Sequence, residues 1–279
     1  MKLIITITLL LFVLSLVAQD FQGKATYKTH RKNSFKIKSI NGSSSNDKFQ
    51  KEMEEKMKKM FQKTYTLNFT KQESIYKQEA TLKTPQPQAG GINVLSFGGG
   101  GNNSILYKNS KEKTYVHQTD IMGKAFLIKD KLKQLDWELT SETKNIGIYT
   151  CYKAVYSVAV DKVRMKMVNN ELKQTKEKVN KTTTAWFTMQ IPVSNGPDSF
   201  GGLPGLILEI NDGSLTIVCT EVILNPKEKI FIEIPKKGKK VNQRKFDEIQ
   251  EEKSKEMMER FRSKRGTSKG NTIEINFGG

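Results

Sequence analysis

The sequence predicts an α+β fold built on one predominantly antiparallel β-sheet, curved or half-barrel-like, with two peripheral amphipathic helices. Three observations carry that expectation. Phe35 and Ile37 alternate with lysines in S-F-K-I-K-S-I (34–40), and similar short segments recur along the chain, the period-2 pattern of half-buried strands. Two longer stretches, 47–61 and 242–263, carry apolar residues at helical spacing instead. No regular strand–helix rhythm runs along the chain, so helices and sheet are expected to segregate.

The 279 residues suit one large domain or two small ones, and 36% hydrophobic with 9% aromatic residues suffices for a packed core. The start reads as a targeting segment. Lys2 precedes the apolar run L-I-I-T-I-T-L-L-L-F-V-L-S-L-V-A, which closes on Ala18 before Gln19 and Asp20. A positive start, an apolar middle and a small residue at the cut describe a secretory signal peptide. Cleavage is expected near Ala18–Gln19, leaving a single domain over 19–264 and a loose tail over 265–279. No Cys follows the run, so a lipid anchor is not expected. Lys and Arg number 47 against 29 Asp and Glu, a net charge of +18. An exported basic protein meets anionic membrane or polysaccharide surfaces. Solvated lysine-rich faces account for the same charge, and export argues against a role on nucleic acid.

The elements follow in order. G-K-A-T-Y-K-T-H (23–30) and 34–40 read as strands, and N-G-S-S-S-N-D (41–47) as a loop with helix N-caps. Over 47–61, Phe49, Met53, Met57, Met60 and Phe61 share one helical face, a flexible methionine-rich stripe. Strands are expected at 64–70 and 74–82, then a long punctuated connection, P-Q-P-Q-A-G-G (85–91) and S-F-G-G-G-G-N-N-S (96–104). Further strands follow at 104–109, 113–119, 124–130, 137–140 and 149–160. The K/N/E-rich stretch 161–181 reads as a hairpin tip or insertion. T-T-T-A-W-F-T-M (182–189) is the next strand, and L-I-L-E-I (206–210) with L-T-I-V-C-T-E-V-I-L (215–224) forms a hairpin turned at Asp212-Gly213. I-F-I-E-I (230–234) predicts one more strand before a helix at 242–263 whose stripe is Phe246, Ile249, Met257, Met258 and Phe261. I-E-I-N-F in the tail suits an edge strand.

Chemistry-bearing motifs are sparse. The only histidines are His30 and His117, each in a strand-like segment without a partner at metal-ligand spacing. No H-E-x-x-H, C-x-x-C or Asp-rich calcium loop is present, so no metal or cofactor is expected. The glycine run 98–101 lacks the Lys-Ser/Thr and the strand-before, helix-after setting of a phosphate loop. A triad assembled from His117, a serine and an aspartate is the one route to a hydrolase, set against ordinary strand histidines. Tyr149, Tyr152, Tyr156, Trp186 and Phe187 suit a core, or a concave face for an acyl chain. Cys151 and Cys219 suit one disulfide or two buried free thiols.

Residues Cys151-Tyr152-Lys153-Ala154, T-A-W-F-T-M-Q-I-P-V-S-N-G-P (184–197) and G-G-L-P-G-L-I-L-E-I (201–210) stand in sequence. In these blocks the chain resembles the GLPGLI family of exported Bacteroidetes proteins. The resemblance covers about a quarter of the chain. It implies export, an envelope or extracellular location and a mainly β domain, and it implies no reaction. It also suggests an envelope partner such as a TonB-dependent receptor.

Read from its residues, the motif Gly201, Gly202, Leu203, Pro204, Gly205, Leu206, Ile207 is a turn feeding a buried strand. Pro204-Gly205 suits the centre of a type II turn with positive φ at Gly205, and Gly201 and Gly202 suit close passage of backbone. The alternative is that exposed loop N–H groups bind a ligand or partner, with Trp186, Asn195 and Asp198 nearest. The function expected is that of a non-enzymatic exported binding or accessory protein. A periplasmic lipid or lipoprotein carrier and an unrecognised hydrolase are the alternatives.

Overall fold

The computed structural model describes residues 21–31, 62–79, 104–168, 171–264 and 275–276. The expected leader, the strand at 34–40, the helix at 47–61 and the connection 85–103 lie outside the described residues.

Among the described residues, one sheet of 13 strands dominates. Strands β1 (Gln22–Arg31), β2 (Lys63–Thr70), β3 (Glu73–Gln78), β4 (Ile105–Asn109), β5 (Thr114–Ile121) and β6 (Lys124–Lys131) form an antiparallel meander. On the other side of β1 lies β11 (Leu215–Leu224), followed by β10 (Leu206–Asn211), β9 (Glu171–Thr188) and β8 (Tyr149–Val168). Both β7 (Glu138–Ile146) and β13 (Ile275–Asn276) pair with β8, the second answering to I-E-I-N-F in the tail. At the far edge β12 (Lys239–Val241) runs parallel to β6, so the sheet is mixed rather than wholly antiparallel. The path from β12 to β13 does not close, and the sheet is open.

Alternation explains the burial. Ala25 and Tyr27 of β1 and Leu67 and Phe69 of β2 are fully buried, while the residues between them are not. These side chains share one core with Cys151 and Ala154 of β8, Ala185 and Phe187 of β9, and Leu206 and Ile210 of β10. The inner faces of both halves of the sheet therefore meet, which requires curvature. The space between them is filled by the segment linking β9 to β10, whose Ile191, Val193 and Leu203 are 0%, 1% and 2% exposed.

The K/N/E-rich stretch 161–181 is the outer part of the β8–β9 hairpin, the first of its two expected readings, because β8 runs to Val168 and β9 starts at Glu171 in unbroken register. Two expectations need correction. The segment I-F-I-E-I is no strand. Asn225 N–H donates to the Gln22 carbonyl at 2.8 Å, so the chain leaves β11 beside β1, whose two sides are already taken by β2 and β11. The helix expected at 47–61 lies outside the described residues, and the one expected at 242–263 is α1 (Gln243–Lys264). Of its predicted stripe, Phe246 packs edge-on against Phe126 with ring centroids 5.6 Å apart, and Ile249 joins that contact. Its start is fixed by Asn242, whose Oδ1 accepts Lys245 N–H at 2.9 Å, and by Asp130 of β6, whose Oδ2 accepts Gln243 N–H at 3.0 Å. The second correction concerns the turn at Pro204-Gly205 and belongs to the site.

Candidate functional site

The motif loop, residues 189–205, with the Leu206-Ile207 start of β10, lies inside the curve of the sheet and is bonded to itself and to the strands around it. Its own backbone turns tightly. Val193 N–H donates to Ile191 O at 2.8 Å, Asn195 N–H to Val193 O at 2.7 Å, and Phe200 N–H to Pro197 O at 3.1 Å. Leu206 and Ile207 then donate back to Ile191 O and Asn195 O, each at 3.0 Å. Asn195 Oδ1 accepts Gly196 N–H at 2.9 Å. Of the loop amides that sequence analysis offered to a ligand, those of Val193, Asn195, Gly196 and Phe200 are spent within the loop.

Three side chains from elsewhere pin it. Lys108 of β4 is 4% exposed. Its Nζ donates to the carbonyls of Gly196, Asp198 and Phe200 at 2.8, 2.7 and 2.8 Å. An ammonium has three donors, and all three are used. Burial pulls Lys108 down to about 7, opposed by the nearby Asp198 charge. The three carbonyls also favour the charged form. Trp137 Nε1–H donates to Gly201 O at 2.9 Å, and Tyr27 O–H to Ile207 O at 2.7 Å. Sequence patterning alone places Lys108 in a strand and assigns it no role. Its signal in the sequence was a lysine two residues after Leu106, on the face where a core residue is expected.

The glycines exchange their expected roles. Gly202 has φ +88°, whereas Gly205 does not lie in the left-handed region. What Gly205 supplies is space, since a Cβ there would stand 2.0 Å from Thr188 O. Pro204-Gly205 is therefore not the type II turn that the dipeptide suggests.

The three proposed surface residues do not converge. Asn195 is 5% exposed and turned to its own backbone. Asp198 is exposed and has φ 50°, and its charge reaches Lys108, His117, Tyr65 and Tyr76. Burial, reinforced by Asp198, raises both phenols, whose rings stack 4.8 Å apart. Trp186 lies under Lys144, whose Nζ is 4.4 Å from the ring centroid and 2.7 Å from Glu209 Oε2.

Cys151 and Cys219 carry free thiols. Burial pushes them up to about 11 and about 12 respectively, which suppresses the reactive thiolate. Of the histidines, His30 sits on β1 opposite Thr216. His117 is held by Ser104, with Nε2 and Oγ 2.8 Å apart, and burial lowers its pKa. A serine and a histidine in contact are two parts of a nucleophile–base arrangement. Among the described residues the Nδ1 of His117 has no carboxylate hydrogen bond to orient it. No three His, Cys, Asp or Glu side chains among the described residues could hold a metal ion together. No helix among them is long and apolar enough to cross a membrane. Lys24, Thr66, Asn68, Lys77, Gln78 and Glu79 line an open hollow of about 440 Å³.

These features describe a β-rich domain organised around a stapled loop. Residues 137–209, from Trp137 to Glu209, match a family model described as a protein of unknown function (Porph_ging). That stretch holds nearly all of the blocks that resemble the GLPGLI family. No curated protein matches the chain. Among solved structures it is similar to PNGF-II in space group C2, at 16% identity and a TM-score of 0.46, over 82% of this chain and 32% of that one. The same protein in space group P21 aligns at 15% identity and a TM-score of 0.45, over 81% and 32%. The chain thus spans about a third of the length of those structures.

Proposed function

We propose that the protein is an exported, non-enzymatic binding or accessory protein of the cell envelope. The observation that carries this reading is the consumption of polar groups at the motif loop. Lys108, Trp137, Tyr27 and Asn195 all turn inward to backbone, leaving a rigid body in place of a reactive cleft. A signal-like start, the +18 charge and the resemblance to exported proteins support the location. A TonB-dependent receptor is the kind of envelope partner the resemblance suggests.

Chemical crosslinking and affinity capture of the tagged chain from its own envelope tests the reading. Specific enrichment of one envelope protein over an unrelated exported control is expected. Capture equal to the control would overturn it. The carrier reading is weakened by Ile191, Val193 and Leu203, which occupy the apolar hollow an acyl chain would need.

The contact between Ser104 and His117 favours hydrolysis as a second reading. Labelling by a fluorophosphonate that is lost in Ser104→Ala would support it. Absence of labelling at Ser104 in the native protein would remove it.

A further inference from the structure

The segment between β11 and β12 is a strap across the outer face of the sheet. Ile230 N–H donates to Gln22 Oε1 at 3.0 Å, and Lys237 N–H to Gln118 Oε1 at 3.3 Å. Gln22 precedes the inward series Gly23, Ala25, Tyr27, so it faces outward. Gln118 is paired with Leu127, opposite in face to His117 and Ile128, so it also faces outward. The strap therefore passes from β1 to β5, across β2, β3 and β4. Period-2 patterning survives in it without a hydrogen-bond ladder. Ile230 and Ile232 are half-buried and Pro235 is buried, while Phe231 between them is 81% exposed and Ile234 is 42% exposed.

The chain around that exposed ring is rich in basic residues. Lys227, Lys229, Lys236 and Lys237 belong to the strap and Lys239 and Lys240 to β12, and all are exposed. Lys240 is in register with Leu127 and so shares the outer face with the exposed Lys129. Against these stand Glu228 and Glu233 of the strap. Glu73 and Glu79 of the outer face are hydrogen-bonded by Tyr107 and Thr66. Lysines along a sheet edge also discourage edge-to-edge pairing. Edge protection explains Lys239 and Lys240, and it does not explain an aromatic ring held out into solvent.

We infer that the strap is a membrane-docking element that seats the outer face on an anionic phospholipid bilayer, with Phe231 entering the interface and the lysines meeting headgroups. An exposed aromatic residue flanked by cations is the combination such a surface rewards, since each lysine near it adds attraction and the ring adds apolar burial. The inference rests on the envelope-binding reading above and names its surface.

The test uses chain recovered from an export-competent host, so that every variant keeps the same N-terminus, mixed with phosphatidylcholine vesicles with or without phosphatidylglycerol. Cosedimentation should appear only with phosphatidylglycerol and weaken with salt. Phe231→Ala, and separately Lys236→Gln with Lys237→Gln and Lys240→Gln, should each lower partitioning by at least about tenfold. Lys245→Gln with Lys253→Gln and Lys255→Gln on α1 should change it far less. Phe231→Trp should shift its emission to the blue on these vesicles. Partitioning insensitive to both strap variants, or loss equal in the α1 control, overturns the inference. Binding to an acidic polysaccharide but not to vesicles would also overturn it, while leaving the envelope-binding reading intact. A failed capture experiment would do the reverse.

Discussion

The Nζ of Lys108 and the carbonyl of Asp198 lie 2.7 Å apart across 90 residues of sequence. The bond is one of three by which a strand of the meander holds the loop before β10. Lys108→Met keeps the aliphatic stem and removes all three donors. Buried carbonyls without partners are costly, so a loss of about 3 kcal/mol is expected in urea unfolding. Faster amide exchange at Ile207 than at Tyr27 would localise the damage to the loop. An unchanged midpoint would show that the loop does not depend on this lysine.

Gly205 and Gly202 should respond differently to the same methyl group. At Gly205 a Cβ meets Thr188 O at 2.0 Å, so backbone must move, and Gly205→Ala should cost about 3 kcal/mol or more. Gly202 has φ +88° and nothing closer than 4.0 Å, so Gly202→Ala should cost about 1 kcal/mol. Equal losses in thermal unfolding would contradict the assignment of close approach to one and left-handed backbone to the other.

The cysteines can be read directly by thiol titration. Both thiols are buried and raised well above the ordinary cysteine range. Native protein should react negligibly with a thiol-specific chromogen, whereas denatured protein without reductant should release two equivalents per chain. Release of none would mean that Cys151 and Cys219 are bridged.

Acid should act through the β10–β11 turn. Burial raises Asp212, but hydrogen bonds from Leu215 N–H, Lys181 and Ser214 outweigh it and hold the carboxyl below its usual range. A depressed folded pKa means that the unfolded chain binds the proton more readily. The contribution is therefore complete above the unfolded carboxyl value near about 4 and is lost as pH falls through the lower folded value. Asp212→Asn should lose about 1–2 kcal/mol at neutral pH and show a flatter stability curve below about pH 4. The same acid slope in both proteins would place the titration elsewhere.

Local patterning made the strands and the last helix legible, because each follows from a period that neighbouring residues carry. Phe246 and Ile249 announce the buried side of α1, and Asp212-Gly213 announces its hairpin turn. What stayed hidden depends on partners far along the chain. Ile230 to Ile234 have strand patterning, and nothing in them says that the sheet beside them is already paired on both sides. Pro204-Gly205 carries turn chemistry, yet it is the approach of Thr188 that demands the glycine. Lys108 resembles any surface lysine until the carbonyls of Gly196, Asp198 and Phe200 arrive. Ser104 and His117 likewise meet only through the pairing of β4 with β5.

The stapled loop has a consequence for where the unit of inheritance and the unit of folding begin and end. Two of its three pins, Tyr27 and Lys108, lie outside the recognisable stretch 137–209. Cut out alone, that stretch would keep its signature and lose the donors that satisfy Gly196, Asp198, Phe200 and Ile207. The residues that identify the chain are thus guests of strands that carry no signature. Synthesis proceeds from the N-terminus, so the hosts are made first and stand ready when the loop emerges. What the loop asks of those strands is narrow: an inward cation where Lys108 stands and a hydroxyl where Tyr27 stands.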